Sequence, residues 1–567
     1  MTVDYVKRFL PFLNWPRVNG KVLSSDLAAG IAVSLLVIPQ SMAYAQLAGV
    51  PAYYGLYAAF IPSIVAVLFG SSAILSTGPV ALTSLLTAVS VSHLTAPGTA
   101  EFVSYVTLLA LLSGIFQIGL GLARAGVLVN LLSHPVLMGF INAAALIIAL
   151  SQLSAVTGID VPQTESFLMD IWHILTKIDS LHVMSLGFGL LGLTLLYGFR
   201  RLAPRLPGVL IMVAILTGLS YATGFGEYGG KIVGDIPAGM PSISVPAMSW
   251  GATISLLPAA FVIALISFME AMSSCKVIAI KTHTRWDENQ ELIGQGLAKV
   301  AAAFCDSMPV SGSFSRSALN LAVHARTGFS ALFAAGFVFL TLMFFTPFFY
   351  HLPKPALAAM IIMAVANLFD LSTMRRAWQA NKDDGIAAVL TFVATLAFAP
   401  NIQIGILAGI IFSLGAFIYR RMTPRTVLVG LHADETLLDA EQNKRPPLHE
   451  KICALRFDAA LFFGNVSFFE DAILKLERDN PNLEFILVAA NGINQLDASA
   501  VEILRGLVRR LHESGITLVF SGAKRQFIEV AERTGLANEI GQDNIFPTDD
   551  LALKALFARV KTKALQD

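Results

Sequence analysis

Three polar features interrupt an otherwise apolar chain, and their chemistry points to a small anion. The first is Leu75-Ser-Thr-Gly-Pro-Val-Ala-Leu-Thr-Ser-Leu-Leu86. Pro79 suits the first turn of a helix, where its missing N–H would have no partner anyway, and Gly78 lets the preceding backbone turn sharply. The second is Pro309-Val-Ser-Gly-Ser-Phe-Ser-Arg-Ser-Ala-Leu-Asn320, again small and hydroxyl-rich, opening a short helix that carries Arg316. If the two half-helices meet N-terminus to N-terminus, each offers free N–H donors and about half a positive charge, and Arg316 adds a full one. The third is Glu270, which ends the long apolar run from Phe261. A carboxylate out of water can take up a proton when an anion binds beside it; a fixed ion pair with Arg316 or Lys276 is the competing reading. Gln40 and Tyr44, one helical turn apart beside Pro39, can line a cavity with an amide and a ring.

Each feature also has a plainer explanation. Gly, Ser and Pro let membrane helices pack closely, and Thr77–Pro79 alone fits that reading. The pair of breaks with Arg316 at one of them favours binding, because a charge within a membrane costs about 3 kcal/mol unless it has a function or a partner. His93, His134 and His324 read as ordinary loop or helix-end residues.

The elements that must hold these residues are membrane helices. The chain has 567 residues, 55% of them hydrophobic and only 14% charged. Between Asp26 and Glu101 it has no Asp, Glu, Lys or Arg. Apolar stretches of roughly the 20 residues a bilayer requires follow one another from Leu27 to Tyr419. Phe102–Leu122, Pro135–Val156, Ile254–Ser274, Gly328–Tyr350 and Ile402–Tyr419 are clear examples. One interrupted helix in each half of such a region is the sequence mark of a transporter's binding site. Lys and Arg cluster at 7–21, 200–205, 276–285, 375–382 and 420–425, which puts both ends of the membrane region in the cytoplasm and makes the span count even. The opening residues lack the apolar core and cleavage site of a signal peptide, so the chain is expected to insert uncleaved.

After Arg425 charges become frequent. Ile452–Phe457, Leu483–Ala489 and Ile516–Ser521 read as buried strands, separated by helical patterns at Phe468–Glu477, Ala498–Glu513, Lys524–Thr534 and Asp549–Lys561. That alternation predicts a small α/β domain. The expected organisation is a cytoplasmic N-terminal segment over 1–24, a transmembrane transport domain over 25–425, a polar linker over 426–445 and the α/β domain over 446–567. A net charge of +1 argues against nucleic acid, and three scattered cysteines against a disulfide or metal framework. No nucleophile–base constellation, metal cluster or phosphate loop is present, so neither an enzyme nor a cofactor is expected.

At these residues the chain resembles the SulP family of anion transporters, known in animals as solute carrier family 26. Pro39-Gln-Ser-Met-Ala-Tyr-Ala-Gln-Leu-Ala-Gly-Val-Pro51 with Gly55-Leu-Tyr57 is similar to the family's first-helix signature, Ala52 standing where a second proline is usual. Thr77–Ser84 is similar to the third helix, Asn289–Gly296 to the ninth and Gly312–Asn320 to the tenth. The resemblance implies fourteen helices in two inverted seven-helix repeats, forming core and gate domains, with an anion held between the third and tenth helix starts. The implied site is Gln40, Tyr44, Pro79, Val80, Ala81, Phe314, Ser315 and Arg316, with Glu270 as the proton-coupling acid. Sodium is the alternative coupling ion. The C-terminal domain resembles a STAS domain, in which Asn494–Ala500 holds the Asp-x-Ser loop. Ser499 there is either an ordinary first-turn residue behind the N-cap Asp497 or a regulatory phosphorylation site. The function implied is proton-coupled uptake of an inorganic anion, foremost sulfate, by a homodimer in the cell's inner (plasma) membrane. Bicarbonate, a C4-dicarboxylate, or a membrane-anchored STAS signalling role are the alternatives.

Overall fold

The computed structural model describes residues 10–15, 18–126, 133–159, 167–203, 206–366, 368–399, 401–431, 437–440 and 448–563. They form two compact units, Met1–Ser413 and Leu414–Asp567.

In the first unit α1 (Gly20–Leu47) and α2 (Tyr53–Phe69) lead into β1 (Thr77–Gly78), α3 (Ala81–Ser92) and α4 (Ala100–Leu122). Helices α5 (His134–Ser151), α6 (Val183–Leu202) and α7 (Gly208–Ala222) follow. The second half repeats the order: α8 (Trp250–Thr282), α9 (Glu288–Phe304), β2 (Ser311–Gly312), α10 (Phe314–Ala322) and α11 (Phe329–Leu340). It ends with α12 (Lys354–Ala366), α13 (Lys382–Ala397) and the start of α14 (Ile402–Met422), whose residues from Leu414 belong to the second unit. Among the described residues, 8 helical stretches are long and apolar enough to cross a membrane, and α2, α3 and α7 are shorter apolar helices. The packing repeats with the halves exchanged. Helix α4 lies on α8 and α9 as α11 lies on α1 and α2, and α5 lies on α13 as α12 lies on α6. This is the inverted seven-plus-seven arrangement that the resemblance implies.

Local chemistry explains the boundaries. The Asn19 side chain accepts from the Val22 N–H at 2.9 Å and starts α1; Asp287 accepts from Asn289 and Gln290 at 2.9 and 3.1 Å and starts α9. Such caps satisfy N–H groups that a helix leaves unpaired. Helix α1 therefore begins at Gly20, inside the segment expected to end at residue 24, so Lys21 belongs to its first turn and not to a preceding tail. The backbones of α4 and α9 meet at Gly114 and Gly296, where a Cβ on either glycine would stand 2.8 Å from the other's carbonyl oxygen. Only hydrogen at Cα permits that approach.

The second unit holds a six-stranded sheet in the order β4-β3-β5-β6-β7-β8. The strands are β3 (Thr426–Leu431), β4 (Leu437–Asp439), β5 (Ile452–Phe457), β6 (Phe485–Ala489), β7 (Thr517–Ser521) and β8 (Ile545–Phe546). The last four run parallel, while β3 is antiparallel to β4 and β5. Helices α15 (Val466–Asp479), α16 (Ala498–Glu513), α17 (Arg525–Thr534) and α18 (Asp549–Lys563) cover both faces. Alternate strand residues go to opposite cores: Phe457, Ile486 and Val488 pack with Phe469 and Leu504 on one side, and Ala454, Leu487 and Val519 with Leu553 and Leu556 on the other. Every residue of β6 is consequently buried, as expected of a strand covered twice.

The stretch 426–445, expected to be a polar linker, instead contributes strands β3 and β4. Thr426–Leu431 pairs with both β4 and β5, and Val427 and Val429 enter the core. The stretch directly follows the basic end of α14, and its two-residue alternation is too brief to outweigh that charge in a sequence reading. Residues 432–436 and 441–447 lie outside the described ones.

Candidate functional site

The two interrupted helices meet. Thr77 pairs with Gly312 and Gly78 with Ser311 in an antiparallel bridge, and the Ser313 N–H adds a bond to the Ser76 carbonyl at 2.8 Å. From this bridge α3 and α10 depart, so their first N–H groups lie on either side of one crossing. Several side chains fix it. Ser63 donates to the Thr77 carbonyl at 2.7 Å, Ser317 accepts from the Ser76 N–H at 2.9 Å, and Asn320 donates to the Ile74 carbonyl at 3.0 Å. The Ser313 hydroxyl caps α10 through the Arg316 N–H.

A cavity of about 1010 Å³ opens beside the crossing. Gln40, Tyr44, Val80, Ala81, Glu270, Phe314 and Ser315 line it, as do Arg200 and Lys276. Phe314 is 56% exposed into this space although it sits in the middle of the chain. The Gln40 amide donates to the Tyr44 hydroxyl at 3.0 Å. Glu270 makes no ion pair with Arg316 or Lys276 among the described residues, and its Oε2 is buried without a hydrogen-bond partner. The fixed-pair alternative for Glu270 is therefore not what the fold builds.

Two of the expected residues stand behind the wall. Arg316 is 0% exposed and does not line the cavity. Its Nη1 donates to the Pro79 carbonyl at 2.9 Å and to Gln40 Oε1 at 3.4 Å, and its Nε to the Ser76 hydroxyl at 3.3 Å. Its Nη2 has no hydrogen-bond partner among the described residues and would lie 3.2 Å from a Cβ on Gly78. Arg316 thus ties α10 to the start of α3, and Pro79 takes part through its carbonyl. Both contribute to the site through its wall.

Sequence reasoning missed other buried charges. Lys299, in α9, is 0% exposed and donates to Gln117 Oε1 at 2.8 Å and to the Ser267 hydroxyl at 2.9 Å. Glu291 accepts from the N–H groups of Ser71 and Ser72 at 2.8 and 2.9 Å, on the approach to β1. Asp26 accepts from the Arg326 and Thr327 N–H groups at 2.7 and 3.2 Å, after α10. Glu291 and Lys299 share one helix with Glu288, Gln290 and Gln295, so no pattern in the sequence marks which of its polar residues are buried. His134 opens α5 and borders the cavity, whereas His93 closes α3. In the second unit Ser499 is exposed in the first turn of α16. The Asp497 cap there accepts from the Ala500 N–H at 2.8 Å and from the Phe463 N–H at 2.8 Å.

Comparison with known proteins gives the family and the fold. The sulfate permease family pattern matches residues 23–395, and the STAS domain pattern matches residues 443–552. The chloroplastic sulfate transporter 4.1 of Arabidopsis thaliana is 30% identical over 100% of this chain and 85% of its own length. A probable sulfate transporter of Mycobacterium tuberculosis is 31% identical, covering 95% of this chain and 96% of its own. Among solved structures, the murine solute carrier 26 family member A9 anion transporter in the inward-facing state aligns with TM-score 0.91 at 22% identity, over 98% of this chain and 95% of its own. The transmembrane domain of the cyanobacterial bicarbonate transporter BicA aligns with TM-score 0.59 at 20% identity, over 70% of this chain and 99% of its own. At those identities the structural likenesses establish the fold alone. With the sequence pattern over most of its length, the chain belongs to the sulfate permease family: it is a multi-pass membrane transporter of anions with a STAS domain, and not an enzyme.

Proposed function

We propose that this chain imports sulfate together with protons across the cell's inner membrane, with both termini in the cytoplasm. The observation that carries the reading is the convergence of the α3 and α10 starts, bridged by β1 and β2, on a cavity that also receives Glu270. The anion sits against the N–H groups at Val80, Ala81, Phe314 and Ser315, with Gln40 and Tyr44 beside it. Two helix ends at about half a charge each, plus Arg316, supply about two positive charges, the magnitude a sulfate dianion requires. Sulfate is favoured because relatives matching this chain over most of its length are named sulfate transporters. Glu270 takes the coupling proton: one of its oxygens is buried and unpartnered, so protonation breaks no bond, and it relieves the repulsion between carboxylate and anion. The cytoplasmic side is assigned from the basic clusters at Arg200/Arg201 and Lys276/Lys281. Ser499 is read as a first-turn residue and the STAS unit as supporting assembly of a dimer.

The test is uptake of labelled sulfate into liposomes containing the purified chain, with and without an inward proton gradient, against excess bicarbonate or fumarate. Acceleration by the gradient and weak competition by both anions support the reading. Preference for bicarbonate or fumarate replaces the substrate, and indifference to the gradient removes the proton.

A further inference from the structure

The reading above leaves Lys299 without a role, although few placements in the molecule are as costly. An ammonium taken wholly out of water needs compensation, and Lys299 is 0% exposed with no ion-pair partner among the described residues. Its surroundings are oxygens: Gln117 Oε1 at 2.8 Å and the Ser267 hydroxyl at 2.9 Å. The amide cannot turn round, because its Nε2 already donates to the Ala264 carbonyl at 2.8 Å and to the Ser267 hydroxyl at 3.1 Å. Gln117 from α4 and Ser267 from α8 therefore present acceptors to whatever occupies the point where Nζ lies. Ser267 is also one helical turn before Glu270, and the Glu270 carboxylate and the Lys299 ammonium attract one another.

We infer that the Lys299 ammonium is the resident cation of this transport domain: a tethered side chain filling an oxygen-lined position that would otherwise take a free monovalent ion, so that transport proceeds without sodium. The inference rests on the reading that Glu270 carries the coupling proton. Amide and hydroxyl oxygens are the donors a hard cation takes, and here the cation is covalently supplied. The charges close on the same conclusion. With Glu270 ionised, Lys299 and Glu270 cancel, and the helix ends with Arg316 leave about two positive charges for the anion. A sodium ion beside Lys299 would set two cations against a single carboxylate. Lys299 does not touch the transported anion; it is a positioning residue that acts through Glu270.

The experiment measures labelled-sulfate uptake by the full chain in liposomes under an inward proton gradient, with sodium replaced throughout by N-methyl-D-glucamine. Wild type should transport at the same rate in both salts. Lys299→Met and Lys299→Gln should lose about tenfold or more in the sodium-free salt, with Lys299→Gln regaining activity when sodium is added. Lys299→Arg, which keeps the charge, should work without sodium. A wild type that needs sodium overturns the inference, as does Lys299→Met transporting normally without it. Should the neutral variants fail to fold, melting of the wild type against added sodium decides: no shift is expected, and a saturable rise in Tm overturns the inference. Absence of sulfate uptake by wild type in either salt counts against the sulfate reading instead, and the melting measurement then carries the test of Lys299.

Discussion

Truncating Arg316 separates a wall residue from a residue that grips the anion. The guanidinium makes one bond of good length, to the Pro79 carbonyl at 2.9 Å, and longer ones to Ser76 at 3.3 Å and Gln40 at 3.4 Å. A hydrogen bond from a charged donor contributes about 1.5–3 kcal/mol, and an acceptor left buried and unsatisfied costs about 1–3 kcal/mol. Gln40 keeps its bond to Tyr44 and faces the cavity, so water can replace the arginine there. The Pro79 carbonyl has no such recourse. The hydrogen-bond part of the loss is therefore close to that of one charge-assisted bond, about 1.5–3 kcal/mol, or roughly 10- to 150-fold, and the missing unit charge adds to it. It falls on sulfate affinity, because the freed group is the turn that aims the first N–H groups of α3. Arg316→Lys restores the charge without the fork that reaches Pro79, Ser76 and Gln40 together, and should land between wild type and Arg316→Ala. Saturation of sulfate uptake, with Tm to check folding, is the assay. A folded Arg316→Ala with KM within about twofold of wild type would refute this account, and Arg316→Lys matching wild type would refute the role of the fork.

Glu270→Gln should abolish stimulation of uptake by a proton gradient while sparing sulfate affinity; retained pH-driven accumulation would show that the proton travels elsewhere. Gly114→Ala forces a methyl to 2.8 Å from the Gly296 carbonyl and should cost about 1–3 kcal/mol from overpacking, seen as a lower Tm of the full chain. Asp497→Ala removes a cap worth about 1 kcal/mol and also frees the Phe463 N–H, so hydrogen exchange should speed up both at the first turn of α16 and at Phe463. Burial pushes the Cys453 thiol up from its ordinary value, which keeps the thiolate scarce near neutrality. Alkylation followed by mass spectrometry should find Cys453 slow at neutral pH and faster as pH rises; rapid labelling at pH 7 would contradict its placement.

Much of the site was legible because its chemistry is local. Thr77-Gly78-Pro79 and Ser313–Arg316 announce helix starts through residues whose backbone preferences do not depend on distant contacts, and the structure places both starts at one bridge. Glu270 was visible as an acid ending an apolar run. Whether it paired with Arg316 was not, because separation along the chain fixes no distance, and the fold turns Arg316 toward Pro79 instead. Lys299 escaped because its helix carries Glu291, Gln290 and Gln295 as well, and a mixed helix gives no hint of which polar side is buried. Strand β3 was hidden for the opposite reason: six residues beside a basic helix end have too short a period to read, and only pairing with β5 and β4 on either side makes them a strand.

The placement of the buried charges has a mechanical consequence. Asp26 bonds from α1 to the α10–α11 turn, Glu291 from α9 to the α2–β1 turn, Lys299 from α9 to α4 and α8, and Arg316 from α10 to α1 and the β1–α3 turn. Every partner lies within α1–α4 and α8–α11. Helices α5–α7 and α12–α14 supply none of them. Helix α12 lies against α1, and its buried residues, Pro355, Ala356, Leu357, Ala358, Ala359, Met360, Ile361 and Val365, are all apolar. Apolar contact is non-directional, so sliding one set of helices along the other exchanges similar contacts. The same displacement within α1–α4 and α8–α11 would leave charged groups unsatisfied at several kcal/mol each. The cheapest large motion therefore moves α1–α4 and α8–α11 as one body, carrying the crossing, Glu270 and Lys299 together, so the charge balance at the proposed anion site is kept while its exposure changes.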